Sequence, residues 1–319
     1  MLSFGDIVKI IVIALGGNAF LQKGQRGTVD EQWDNIKKAV KQIADIIEKG
    51  YKVVLTHGNG PQVGNILEWM EVSSHRIPPL TMDIANAMTQ GWLGYMIQQA
   101  LHNELINRGI NRIIISVINR VLVDKYDPAF HNPTKYIGPY YTKKEAEEMA
   151  RKKGWVMKPD PRGGWRRVVP SPNPIDNLEV EAIKKLINEG YIVVASGGGG
   201  IPVIKEDKEF KGIEAVIDKD LASEVLATRL RANYLVILTD VEGVMLNYGK
   251  PNQVLLRKLT INEAEELYRA GHFPPGSMGP KVLACIRFIK HGGEKAFIGH
   301  LYRALDILEE RSGTVILPS

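Results

Sequence analysis

The sequence predicts an α/β protein, an open three-layer αβα sandwich on a mainly parallel sheet of about eight strands with a small protruding subdomain. Two observations carry the sandwich. Short apolar runs end in glycine loops, and segments with helical spacing separate one run from the next. A third observation, a stretch dense in proline and glycine between residues 119 and 174, carries the subdomain.

The elements follow in order. "KIIVIAL" (9–15) is continuously apolar, as expected of a strand buried on both faces. Thr28 and Glu31 then make a capping box, and Trp33, Ile36, Val40, Ile43 and Ile47 keep helical period until Gly50. "YKVVLTHGNG" is the next strand and loop, and a long helical region runs from about Thr81 to Gly109. "NRIIISVI" (111–118), "GYIVVASGGGG" (190–200) and "NYLVILTDVEG" (233–243) are later strands, the last two each preceded by a helical stretch. Such alternation requires crossover helices, hence a largely parallel sheet covered on both faces. Residues 119–174 break the pattern with Asp127-Pro128, Asn132-Pro133, Gly138-Pro139, Pro159, Pro161, Gly163-Gly164, Pro170, Pro172 and Pro174. They read as a lid inserted into a single domain spanning 1–319.

Composition narrows the function. The chain has 319 residues, 44% hydrophobic and 24% charged, with a formal charge of +5. No Lys/Arg cluster interleaved with aromatics occurs, so a small anionic substrate is favoured over nucleic acid. The single cysteine, Cys285, excludes an intramolecular disulfide and a cysteine metal cluster; its helical apolar surroundings read as a buried structural thiol. The chain reaches Asp6 before its first apolar segment and holds no run of 18 apolar residues. The expectation is a cytoplasmic protein with no membrane partner.

Three glycine loops fall where ligands bind in open parallel sheets, beyond the carboxyl ends of strands: Gly16-Gly17-Asn18, "HGNGPQ" (57–62) and "SGGGG" (196–200). Glycine lets backbone N–H groups approach an anion closely, although any one such loop is equally a tight turn. No G-x-x-x-x-G-K-[ST] occurs, and Pro202 and Val203 prevent the 197–200 run from completing G-x-G-x-x-G. Positive charge is available from Lys219 in "VIDKDLAS", Lys281 after Pro280 in "GSMGPK", and Lys135 in "NPTKYIG". Phosphoryl transfer needs positive charge and fixed geometry more than covalent help, and Asp220 would suit as the carboxylate orienting two lysines. The alternative is that these lysines are ordinary surface residues. Asp240 and Glu242 follow a strand and face a nucleotide or Mg²⁺, or simply solvent. His57 reads as an orienting or structural residue. His272, His291 and His300 lack metal-ligand spacing, so no residue is assigned to a metal.

Taken together, "IVIALGGNA" (11–19), "THGNGPQVG" (56–64), "VASGGGGIPV" (194–203), "AVIDKDLAS" (215–223), "LTDVEGV" (238–244) and "GSMGPK" (276–281) resemble the carbamate kinases of the amino acid kinase superfamily. The resemblance runs from about residue 8 to the end. Related kinases carry a lysine before the first glycine loop, where this chain has Ala14; the resemblance implies that Lys219 supplies that charge. It also implies that Asp220 organises the site, Lys281 meets the nucleotide phosphates and Lys135 comes down from the lid onto carbamoyl phosphate. Gly16, Gly17, Asn18, Gly58, Asn59 and Gly60 would surround carbamate and the moving phosphoryl. Gly198, Gly199, Asp240, Gly243, Tyr248 and Met278 would hold ATP or ADP. The implied reaction is reversible transfer between ATP and carbamate with Mg²⁺, in a homodimer. A sister kinase acting on an acyl amino acid or a nucleoside monophosphate, and a silent nucleotide-binding regulator, are the competing readings.

Overall fold

The computed structural model describes residues 8–22, 24–160 and 163–319, so Asp6 and Pro161 of the sequence reading lie outside the described residues. The central sheet has eight strands in the spatial order 258–260, 314–317, 295–300, 234–239, 10–15, 52–57, 192–194, 114–116. Every neighbouring pair is parallel except 295–300 with 314–317. Burial on both faces explains the unbroken apolar runs. Along strand Ile10–Leu15, Ile11, Ile13 and Leu15 enter one core, while Val12 and Ala14 enter the other.

Helices α1 (Val29–Glu48), α2 (Gly60–Ser73), α3 (Met82–Asn107), α4 (Lys143–Lys153), α5 (Val180–Asn188), α6 (Lys219–Leu230), α7 (Ile261–Arg269), α8 (Met278–Lys290) and α9 (Ala304–Leu308) follow in chain order. α1 and α3 supply the first core, with Ile36, Val40, Ile43, Leu93, Ile97 and Leu101. α5, α6 and α8 supply the second, with Ile183, Leu226, Val282 and Phe288. Each such fully buried side chain contributes about 1.5–3 kcal/mol relative to exposure. The capping box at Thr28 and Glu31 is present as read. α8 begins two residues before Pro280. The proline tolerates that third helical position because its missing N–H has no intrahelical partner there.

The 119–174 stretch is more structured than its punctuation suggests. Strands 135–141, 165–169 and 157–159 form a separate antiparallel sheet carrying α4. The flanking strands 120–123 and 174–177 instead join 201–206 and 209–212 in a four-stranded sheet that the sequence reading did not foresee. The small sheet is seated on α2 through two glycines. A Cβ on Gly64 would lie 2.2 Å from Gly138 Cα, and Gly138 itself has φ +71. Backbone meets backbone there. Among the described residues no helix is long and apolar enough to cross a membrane.

Candidate active site

The three glycine loops meet where the central strands end. Gly16 N–H donates to Leu238 O at 3.0 Å, and Gly58 N–H to Leu15 O at 3.2 Å, which ties the first two loops to the sheet. A Cβ on Gly58 would lie 3.3 Å from Lys219 Cδ and 3.9 Å from Gly17 N. In the third loop Gly198, at φ +66, closes over Asn59; a Cβ there would meet Asn59 Nδ2 at 2.2 Å. Gly199 packs equally tightly on Ile217 O, just ahead of Asp218. Its N–H donates to Ser196 O, and that of Gly200 to Gly197 O. Among the loop amides that find no acceptor among the described residues are those of Gly17, Asn18 and Gly60. Gly60 opens α2, so its amide sits at the positive end of a helix dipole.

Charge gathers at the start of α6. Asp218 is the N-cap, its Oδ1 accepting from Asp220 N–H at 2.9 Å and its Oδ2 from Lys135 Nζ at 2.7 Å. Asp220 takes Lys219 Nζ on Oδ1 and Lys281 Nζ on Oδ2, the latter at 2.8 Å. Thus the four side chains singled out as catalytic candidates come together in two ion-pair groups, Lys135–Asp218 and Lys219–Asp220–Lys281, joined by the Asp220 N–H bond to Asp218. Three ammonium groups face two carboxylates. Burial raises the Asp218 and Asp220 carboxyls, but the lysines outweigh it and hold both below the usual carboxylate range. Burial and the neighbouring Lys281 charge pull Lys219 down, with Asp220 opposing. For Lys281, the two aspartates overcome burial and raise it. Removing one partner of such a buried pair costs about 3–5 kcal/mol when the other charge is left without a counter-ion.

Uncharged groups brace this cluster. Ser223 Oγ donates to Lys219 O at 2.6 Å and shares a 2.6 Å hydrogen bond with Thr56. Asn59 Nδ2 donates to Asn86 Oδ1 at 3.0 Å and to Thr89 Oγ1 at 2.8 Å. His57 is buried edge-on against Phe20, and burial pushes its imidazole down to about 4, so it is neutral at pH 7. Asp218, Ser223, Asn86 and Thr89 were not assigned from sequence. The signal for α3 was legible: Asn86, Thr89 and Gln90 are polar residues at helical spacing on its buried face.

The remaining candidates are less closely tied. Asp240 follows strand 234–239, exposed, with Thr239 Oγ1 donating to it at 3.1 Å, and its charge is felt by Lys281. Gly243 packs on Thr314 Oγ1, 2.6 Å from where a Cβ would sit, so close packing explains that glycine. Met278 opens α8 three residues before Lys281, and Tyr248 is 63% exposed in the turn after strand 245–246. Glu242 pairs with Arg257 at 3.2 Å. Ala14 is fully buried in the core beneath α6 and α8, where a lysine stem would have no room. Cys285 is buried too, its thiol pushed up by burial.

The family model described as "Amino acid kinase family" matches residues 9–300. The chain belongs to the amino acid kinase family. Within that family it is 57% identical to a carbamate kinase of Pyrococcus horikoshii, over 97% of this chain and 99% of that one. A carbamate kinase of Pyrococcus furiosus is 55% identical with the same coverage. Among solved structures, carbamate kinase from Giardia lamblia bound to AMP-PNP superimposes with a TM-score of 0.90 at 42% identity, covering 98% of this chain and 99% of that one. This family member therefore shares its whole length, not one domain, with carbamate kinases.

Proposed function

We propose that this chain is a carbamate kinase, moving a phosphoryl group reversibly between ATP and carbamate to give ADP and carbamoyl phosphate. The observation that carries the reading is the convergence of Lys135, Lys219 and Lys281 on Asp218 and Asp220, beside loop amides at Gly17, Asn18 and Gly60. A phosphoryl group in transfer spreads negative charge over its oxygens, and preorganised cations in a water-poor site stabilise it most at that moment. Lys219 neutralises the transferring group from the loop side. Lys281, beside Asp240, serves the nucleotide phosphates, and Lys135 serves carbamoyl phosphate from the small sheet. Asp220 fixes two of these ammonium groups. Carbamate is already an anion, so no general base is needed, which agrees with a buried, neutral His57.

Mg²⁺ would come with the nucleotide. No cluster of three or more His, Cys, Asp or Glu side chains suited to a metal occurs among the described residues, and Asp218 and Asp220 are engaged by lysines. One exposed carboxylate, Asp240, plus substrate phosphates is the usual Mg²⁺ donor set, and the ion would neutralise charge on the nucleotide phosphates. The small sheet with α4 acts as a lid that excludes water, and Lys135, which it carries, already reaches across to Asp218.

The test is ATP formation from ADP and carbamoyl phosphate with Mg²⁺, run against phosphorylated acyl amino acids and nucleoside diphosphates as donors. Turnover restricted to carbamoyl phosphate is expected. Turnover with a sister donor, and none with carbamoyl phosphate, would overturn the reading.

A further inference from the structure

The hydrogen bonds around Asn59 have a fixed polarity. Asn86 Nδ2 donates to the backbone carbonyl of Ala215 at 3.1 Å, so the oxygen of that amide is the end turned to Asn59. Thr89 Oγ1 gives its proton to Asn86 O at 2.7 Å, so toward Asn59 it can only accept. Two acceptors therefore require the NH₂ end of Asn59, and both of its N–H donors are used. Its Oδ1 accepts no hydrogen bond among the described residues. The enclosed side-chain polar atoms left without partners are Arg112 Nε, Asn119 Nδ2 and Ser312 Oγ; Asn59 Oδ1 is not one of them, so it keeps contact with open space. Asn59 is otherwise 2% exposed, closed over by Gly198 and adjoining Gly58 on the Lys219 stem.

We infer that Asn59 Oδ1 is a specificity acceptor for the amino group of the substrate, held carbonyl-first by Asn86 and Thr89. The inference rests on the carbamate kinase reading and extends it. Carbamate has one hydrogen-bond donor, its NH₂, where acetate, an anion of the same size, offers a methyl. The site amides and lysines are all donors and serve the oxygens; they cannot tell these molecules apart. An acceptor locked in place can, because a methyl leaves it unpaired. Asn86 and Thr89 act through Asn59 as positioning residues.

Two phosphonates of nearly equal shape isolate the effect: phosphonoacetamide, with NH₂ on its carbonyl, and acetonylphosphonate, with CH₃ there. Binding of each to the intact protein in the presence of ADP is measured by calorimetry, which does not depend on turnover. The wild type should prefer phosphonoacetamide by about tenfold or more, the scale of one buried hydrogen bond. Asn59→Ala should abolish the preference. Thr89→Val, which keeps the side-chain volume but removes one of the two restraints, should reduce it several-fold while acetonylphosphonate and ADP bind as before. Equal wild-type affinity for the two compounds overturns the inference, and so does a preference that survives Asn59→Ala. A parallel loss for both compounds in both variants likewise makes Asn59 merely structural. A clear preference without any turnover of carbamoyl phosphate would instead overturn the proposed reaction.

Discussion

At the scale of single residues, the cluster at the start of α6 separates charge that stabilises a transition state from charge that stabilises the fold. Lys219 is about nine-tenths buried, and burial opposes its charge. Asp220, itself held ionised by the two lysines, favours it. Lys219→Ala should lower kcat by about two orders of magnitude or more, the scale seen when one electrostatic stabiliser is removed. Steady-state assays with ADP and carbamoyl phosphate read this directly, and near-normal turnover would remove Lys219 from the mechanism. Asp220→Asn should act mainly on stability, because two buried ammonium groups would lose their counter-ion; guanidinium melts should show a loss of about 3–5 kcal/mol. His57 gives a pH dependence with a definite sign. Its folded-state value, about 4, lies below the ordinary 6.5, so the unfolded chain takes up the proton first. Its contribution to stability is complete above about pH 6.5 and is lost as pH falls toward 4, to a total of about 3 kcal/mol. Between pH 7 and pH 5 the Tm of the wild type should therefore fall further than that of His57→Gln; equal falls would assign the acid sensitivity to other groups.

At the scale of elements, the small sheet is held to the body by apolar packing of Ile137 and Val169 on Val63 and Ile66, by the Lys135–Asp218 and Lys153–Glu71 pairs, and by the backbone contact of Gly64 on Gly138. Gly64→Ala inserts a methyl group where there is no room for one, and the neighbour is backbone that cannot rotate away. The sheet must lift from α2. Faster hydrogen exchange across 135–141, with the central strands unchanged, is expected together with reduced kcat; unchanged exchange would mean that the sheet is held elsewhere. Local signals of this region were only partly legible. The capping box of α1 depends on two neighbouring residues and the buried strands on unbroken apolar runs, so both could be read from the sequence. The strand 201–206 pairs with 120–123, some eighty residues away, and no local pattern encodes such a partner. For the same reason Lys135 could be listed from sequence only by its motif, whereas its ion pair with Asp218 depends on how the small sheet is seated. Asp218 was visible as a neighbour of Lys219, but its role as helix cap and lid partner required coordinates.

At the scale of the whole molecule, the two cores are closed on both faces of the sheet, yet one helical surface is left apolar. Ile84, Met88 and Tyr95 recur at helical spacing on the outer side of α3, each 42–57% exposed. Trp69 on α2, 59% exposed, stacks on Trp92 beside them. A contiguous outward stripe of this kind on a monomer would be a liability in water, and single exposed apolar residues do not line up by chance along three turns. A second copy of the chain is the occupant we propose, because a helix stripe presented to its own symmetry mate is self-complementary and closes as a two-fold dimer. The active-site cluster lies at the start of α6, and none of its members belongs to this stripe. Met88→Lys would place a charge in the middle of the proposed interface without touching the lysines, glycine loops or the Asn59 network. Sedimentation should show a dimer for the wild type, with a Tm that rises with protein concentration, and a shift to monomer for Met88→Lys, whose Tm no longer depends on it. A wild type that sediments as a monomer at every concentration would leave the stripe unexplained by self-association and refute the dimer. A variant that stays dimeric would move the interface to another face.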